Sequence, residues 1–194
     1  MALTVKGTAT RQRIIDGAAT YLRSDEPGEV TLDDVRAITG TSKGQIFHYF
    51  PGGKEELLLA VARHEADRVL ADQQPHLGAL TTWAAWERWR DAVVARYRAQ
   101  GRYCPLGSLM SQAGSTPGAA EVITALMSRW QAQIRRGIEQ MQRAGQVRAG
   151  LDADRVAAAL IAGIQGGVQV LRSTGSTGHL EAAMDLLIDH LRGR

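Results

Sequence analysis

One cysteine in 194 residues, Cys104, rules out a disulfide framework within the chain and fits a reducing, cytoplasmic setting. No stretch comes near the ~18 to 20 uninterrupted apolar residues that a membrane-crossing helix needs. The richest candidate, Val156 to Leu171, is broken by Gln165 and three glycines. The opening Met-Ala-Leu-Thr-Val-Lys has no basic stretch followed by an apolar run, so no signal peptide is expected. There is no glycine-rich phosphate loop and no Cys/His pair at metal spacing; His48, His64, His76, His179 and His190 are scattered. Arg, Asp and Ser residues form no recognisable catalytic set. These gaps predict a chain that is not an enzyme and has no cofactor or metal site. Charge of one sign is scarce too. The formal net charge is +3, and acids and bases nearly balance over the first sixty residues. An anionic partner must therefore be met by the placement of charge rather than its amount. A length of 194 residues is enough for one sizeable globular unit or two small domains sharing an interface, and a hydrophobic content of 44% is compatible with a real core.

What is present is a legible stretch from Thr31 to Phe50. Thr31 suits an N-cap, with Asp33 and Asp34 in the following turn, where negative charge favours the helix dipole. Leu32, Val35 and Ile38 recur at steps of three and predict an inward apolar face. Gly40 suits the left-handed stop of that helix. Ser42, with Thr41 as the alternative, caps a second short helix whose buried side is expected to be Ile46, Phe47 and Phe50. Lys43, Gly44, Gln45, His48 and Tyr49 are left facing outward. Two short helices around a tight turn, the second carrying small and polar residues outside, are how a protein presents a helix to the major groove of double-stranded DNA. Lys43 and Gln45 can bond base edges, and Gln can pair bidentately with adenine. Gly44 lets the backbone approach, and His48 and Tyr49 can reach phosphates or thymine methyls. After Pro51-Gly52-Gly53, Lys54 opens a third helix, where its ammonium and free backbone amides would grip a phosphate. The DNA-binding set read from this grammar is Thr31, Thr41, Ser42, Lys43, Gly44, Gln45, His48, Tyr49 and Lys54.

The stretch from about Arg11 to Leu58 resembles the DNA-binding domain of the TetR family of bacterial transcription regulators. The resemblance is carried by Ile15, Ala18, Ala19 and Leu22, then Thr31, Val35, Gly40, Ser42, Lys43, Gly44, Phe50 and Lys54-Glu55-Glu56-Leu57. The chain departs from the family pattern with Phe47 where Tyr is usual, Tyr49 where His is common, Thr39 in place of Ala, and a double glycine before Lys54. The resemblance implies an all-α chain: an N-terminal three-helix helix-turn-helix domain, taken as residues 1–55, and a C-terminal helical ligand-binding and dimerisation domain, taken as 56–194.

The remaining sequence reads as helices throughout, with no convincing strands and no internal repeats. Residues 1 to 9 read as a polar arm, followed by a helix from Arg11 to Ser24. Further helices are expected over Lys54 to about Gln73, Thr82 to Gln100, a short one from Cys104 to near Gly114, Glu121 to Ala144, from an Asp152 or Asp154 cap to Leu171, and Leu180 to Leu191. Ile123, Met127, Trp130, Ile134, Ile138 and Met141 form one apolar stripe. Trp86, Trp89, Tyr97, Tyr103, Cys104, Met110, Met127 and Trp130 are the expected lining of a cavity for a small apolar or aromatic effector. The arginine excess between Arg88 and Arg143 favours a neutral or anionic ligand over a cation. Cys104-Pro-Leu-Gly-Ser-Leu resembles a run in a branch of the family that includes repressors of multidrug-export genes.

The Ala- and Gly-rich helix and the one after it are expected to pair across a homodimer as a four-helix interface. Its residues would be Val156, Leu160, Gly163, Gly167, Leu171, Met184, Leu187 and Leu191. The expected function is a ligand-relieved repressor binding a palindromic operator. The competing expectation is a redox regulator or thiol enzyme built on Cys104, whose thiol near arginines would have a lowered pKa.

Overall fold

The computed structural model describes residues 4–22, 30–101 and 116–193. Among them every regular element is a helix: α1 (Val5–Tyr21), α2 (Leu32–Thr39), α3 (Lys43–Tyr49), α4 (Gly53–Ala71), a single 3-10 turn (Leu77–Ala79), α5 (Trp83–Gln100), α6 (Ala119–Arg143), α7 (Ala153–Thr174) and α8 (Gly178–Arg192). The expected short helix from Cys104, and with it Tyr103, Cys104 and Met110, lies outside the described residues.

The first helix starts earlier than expected. Thr4 accepts the Gly7 amide at 3.1 Å, and α1 runs from Val5, so most of the predicted polar arm is helical. A hydroxyl placed to take an orphan amide outweighs the polar composition of the following turn.

The chain divides into two compact units, residues 1–68 with 103–123, and residues 69–102 with 124–194. The sequence-based boundary at 55/56 falls instead at the start of α4. The difference is physical: Leu57, Leu58 and Val61 on α4 belong to the same buried cluster as Ile14, Ile15, Ala18 and Leu22 of the first unit. Val35, Ile46 and Phe50 complete that cluster.

In the second unit α5 buries Trp86, Trp89, Val93 and Tyr97. Helix α6 buries Leu126, Trp130, Ile134, Ile138 and Met141. Ile123 and Met127 were expected on that stripe but are only half-buried, because a run of four-residue steps back from Ile138 reaches Leu126. Helix α7 is the one described helix long and apolar enough to cross a membrane by length and composition. Its apolar side, Val156, Leu160, Ile164, Val168 and Leu171, is buried in this unit, where α7 packs on α8.

That packing is unusually close. A Cβ at Gly167 would lie 2.5 Å from the Cα of Leu180, so only a residue without one fits between the two backbones. The small-residue pattern therefore serves a contact inside the chain. This corrects the expected dimer surface. Val156, Leu160, Gly167, Leu171, Met184 and Leu191 are buried in their own subunit and unavailable to a second one. Gly163 and Leu187 remain half-exposed. The outward side of the pair carries Ala158, Ala162 and Gly166 on α7, and Ala182, Leu186 and His190 on α8; Leu186 is 72% exposed.

Arginines fasten α5 to α8. Arg90 donates two parallel bonds of 2.8 Å to Asp185, and Arg192 reaches Glu87 at 2.5 Å. Such solvent-facing pairs contribute ~1 kcal/mol or less each, but the bidentate geometry fixes the register of the helices. Beside them lies a groove of about 440 Å³ lined by Glu87, Arg90, Asp91, Asp185, Ile188, Asp189 and Arg192. It is polar and contains none of the residues expected to line an effector cavity.

Candidate nucleic-acid interface

Helices α2 and α3 are each started by a reciprocal cap. Thr31 Oγ1 accepts the Asp34 amide at 3.2 Å, while Asp34 Oδ2 accepts from the Thr31 amide at 3.0 Å and from the Thr31 hydroxyl at 2.6 Å. The Thr31 hydroxyl is thus committed to holding α2 rather than being offered to DNA. The Thr31 hydroxyl, with the Thr31 amide next, holds the Asp34 carboxyl below its usual range against a small opposing effect of burial. The sign follows from a depressed acid: its contribution to the cap is complete above the ordinary carboxylate range and is lost as pH falls through the lowered value. At α3, Ser42 Oγ accepts the Gln45 amide at 3.1 Å and Gln45 Oε1 accepts the Ser42 amide at 2.9 Å. These are the two-way caps that a Ser or Thr followed three residues later by an acceptor side chain can form.

The turn between the helices is built from threonine hydroxyls. Gly40, at φ 62°, closes α2 in the left-handed region. Thr39 Oγ1 donates its one proton to the Val35 carbonyl at 2.7 Å. The Thr41 hydroxyl, 2.6 Å away, must therefore be the donor to Thr39. Thr41 is 5% exposed, so it supports the turn from inside, and its expected place in the DNA-facing set is corrected. The methyl of Thr39 fills the space left by Gly17 on α1, where a Cβ would overlap Thr39 Cγ2. The departure from Ala at 39 is accommodated by this glycine.

Helical geometry also corrects two apolar assignments. Ile38 is 47% exposed and Phe47 41% exposed. Steps of three drift by about 60° per step around a helix of 3.6 residues per turn. The residue seven beyond Leu32, Thr39, therefore takes the inward position that Ile38 was expected to fill. On α3 the four-residue pair Ile46 and Phe50 is fully buried, leaving Phe47 at the margin, near Gly53.

Lys43, Gly44, Gln45 and His48 are exposed as expected, and with Ser42 and Phe47 they form the outer surface of α3. Tyr49 is half-buried and packs against the core of the unit, with its ring edge-on to His48 at 4.8 Å. Its assignment as a wholly outward residue is corrected. Arg11 lies 4.9 Å over the Phe50 ring, a cation–π contact behind α3. At the start of α4 the expected phosphate cradle is partly filled. The Gly52 amide donates to Glu56 Oε2 at 2.8 Å and the Gly53 amide to the Phe50 carbonyl at 2.8 Å. The carboxylate of Glu56 takes a place where a phosphate would need free donors. Lys54 is half-buried.

Of the residues assigned to an effector cavity, Trp86, Trp89, Tyr97, Met127 and Trp130 lie in the second unit. Trp86 and Trp130 are fully buried and Tyr97 is 5% exposed. Trp89 stands edge-on to Trp86, with ring centres 5.7 Å apart. Trp89 Nε1 donates to Gln73 Oε1 at 2.9 Å, and Gln73 in turn donates to the Val69 carbonyl at 2.8 Å. The indole N–H groups of Trp86 and Trp130 are buried with no acceptor. Sequence reasoning missed Gln73, whose position two residues past the end of α4 carries no local signal for a tryptophan partner. Among the described residues no group of three or more His, Cys, Asp or Glu is placed to hold a metal ion.

Residues 14–61 match the model of bacterial regulatory proteins of the tetR family, and residues 79–187 match the tetracyclin repressor-like C-terminal domain. The chain belongs to the TetR family. TetR-family proteins are transcription regulators rather than enzymes, and the family match over residues 14–61 takes in α2 and α3. A TetR transcriptional regulator of Chloroflexus aurantiacus shares the fold with a TM-score of 0.81 at 26% identity, over 96% of each chain. A TetR-family regulator of Cytophaga hutchinsonii superposes with a TM-score of 0.79 at 19% identity, covering 100% of this chain and 98% of that one, and bears on the fold alone. An uncharacterized HTH-type regulator of Mycobacterium tuberculosis is 27% identical over 110 residues, which are 54% of this chain and 53% of that protein. The transcriptional repressor AcnR of Corynebacterium glutamicum is 41% identical over 64 residues, 33% of this chain and 34% of its own length. The TetR-family chain thus spans at most about half the length of these curated relatives.

Proposed function

We propose that this TetR-family regulator represses transcription as a homodimer bound to a palindromic operator in the bacterial cytoplasm, and that a small apolar or aromatic effector releases it. The observation that carries the reading is α3 itself: a short helix fixed at its start by a two-way cap, seated by Ile46 and Phe50, with Lys43, Gly44, Gln45, Phe47 and His48 turned outward. Two such helices related by a twofold axis would enter successive major grooves about 34 to 36 Å apart. Lys43 serves as the cation for phosphate or a base edge. Phe47 has no hydroxyl for a phosphate and offers apolar contact to a thymine methyl or sugar.

The dimer is supported by the outward face of α7 and α8, where Ala158, Ala162, Gly166, Ala182 and Leu186 lie exposed together on neighbouring helices. An apolar residue exposed as fully as Leu186 among small ones suits burial against a second copy. The effector is supported by the two unsatisfied indole donors of Trp86 and Trp130. A buried donor without an acceptor costs ~1–3 kcal/mol, which a ligand acceptor would offset. Both α4 and α6 contribute residues to each of the two units, so a shift of either on ligand entry would reach the reading helix. By linkage, operator binding then weakens effector binding by the same factor.

The test is selection of duplex DNA from a random pool by the full chain, followed by anisotropy titrations. An inverted repeat is expected to be enriched. Lys43→Ala should weaken its binding by about one to two orders of magnitude and flatten the salt dependence. Failure to enrich any repeat, or full binding by Lys43→Ala, would refute the reading. Leu186→Glu should yield a folded monomer in sedimentation and lose the palindrome preference. A Leu186→Glu protein that stays dimeric would refute the assigned face.

A further inference from the structure

The cap of α3 constrains what Gln45 can read. A glutamine amide usually recognises adenine with both of its ends, its oxygen accepting from N6 and its nitrogen donating to N7. Here the oxygen is already engaged. Gln45 Oε1 accepts the Ser42 amide at 2.9 Å, and the reciprocal bond from the Gln45 amide to Ser42 Oγ closes the cap. The assignment of the two ends is chemically fixed, since a backbone N–H can only donate and Nε2 has no lone pair to receive it. Gln45 is exposed on the outer surface of α3, so what it offers to a groove is Nε2 with its two protons.

We propose that Gln45 acts as a donor-only base reader, selecting guanine over adenine within each half-site. The inference rests on the DNA-binding role assigned to α3 above. Guanine presents two acceptors in the major groove, O6 and N7, and matches a pure donor. Adenine places its N6 amino group where guanine has O6, so a donor-only Gln45 meets a donor there. To read adenine at both ends, Gln45 must release the Ser42 amide, which keeps only the Ser42 Oγ half of the cap and leaves one orphan donor at the start of α3, so part of the gain at the base is lost at the helix. Cytosine, with only an amino donor on this edge, is the worst match. Ser42 is a positioning residue in this scheme: it acts on DNA through the orientation it imposes on Gln45.

The substitution Gln45→Glu isolates the effect. One carboxylate oxygen still accepts the Ser42 amide, so the cap and the fold survive, and thermal melting will verify this. The other oxygen is an acceptor, which pairs with the cytosine amino group. Selection from random duplex DNA with the full-length wild type, Gln45→Glu and Gln45→Ala gives the readout. In the wild type one position per half-site is expected to be guanine, favoured about tenfold over adenine in competition titrations. Gln45→Glu should change that position alone to cytosine, and Gln45→Ala should erase its preference. Adenine at the Gln45-dependent position in the wild type would overturn the inference while leaving the operator reading intact. So would a motif that neither variant alters. A wild-type protein that enriches no sequence removes the DNA-binding role and this inference with it.

Discussion

Gly167→Ala should destabilise the second unit by about 3 kcal/mol, lowering the melting temperature of the chain by about 6–12 °C. The added methyl would lie 2.5 Å from Leu180 Cα and 2.8 Å from its amide nitrogen. Those are backbone atoms at the first turn of α8 and cannot rotate aside as a side chain would. Relief requires α7 and α8 to separate, which loosens the packing between them. Helix propensity works in the opposite direction, since Ala is favoured over Gly by about 1 kcal/mol in a helix interior. The steric term must exceed this for the variant to be destabilised. Gly166 supplies the control, because nothing lies within 4 Å of a Cβ built there. In the Leu186→Glu background, where the assigned subunit contact is broken, Gly166→Ala should raise stability by about 1 kcal/mol. Urea melts followed by circular dichroism measure both. Equal effects at 166 and 167 would refute the close-approach account.

The second large effect is a coupling between α1 and the turn before α3. Gly17→Ala should cost about 2 kcal/mol, because the new Cβ overlaps the methyl of Thr39 and forces α2 away from α1. Thr39 also anchors the turn through its hydroxyl, which donates to Val35 and accepts from Thr41. Displacing it tilts α3, so operator affinity should fall with stability. Thr39→Ser removes the obstructing methyl and keeps both hydroxyl bonds. The double variant Gly17→Ala, Thr39→Ser is therefore expected to return to within about 0.5 kcal/mol of the wild type, aided by the better helix propensity of Ala. Thr39→Ser alone should cost about 1 kcal/mol for the space it opens. A double-mutant cycle with no coupling between the two sites would exclude direct contact as the cause. The same cycle, read by DNA binding, separates a positional effect on α3 from a loss of fold.

These two glycines also show where sequence reading succeeded and where it stopped. The caps at Thr31 and Ser42, and the left-handed stop at Gly40, were legible because each depends on a few consecutive residues. The all-helical class and the family followed from dispersed positions on those same local frames. A glycine-rich α7 pointed correctly to close helix packing, but the sequence carries no label for the partner. The nearest backbone proved to be α8 of the same chain. That moved the free surface to the other side of both helices. Ile38, Phe47 and Thr41 were misplaced for a related reason: hydrophobicity suggested what should be buried, whereas the backbone geometry decides what points inward. Gln45 was placed on the right surface, yet only the structure reveals that one end of its amide is occupied.

In the proposed homodimer, the exposed side of α7 governs how the two subunits rearrange. Ala158, Ala162 and Gly166 present almost no side chain there. Groups without rotatable bonds lose little freedom when covered, and they form no deep knobs that would interlock. A seam of this kind resembles a bearing more than a zipper. Partner helices can pivot or slip by an ångström or so while keeping most of their dispersion contact, so the leverage between two reading heads would come cheaply. A bulkier residue introduced along the seam would then act as a detent, holding the assembly in whichever arrangement first accepts it.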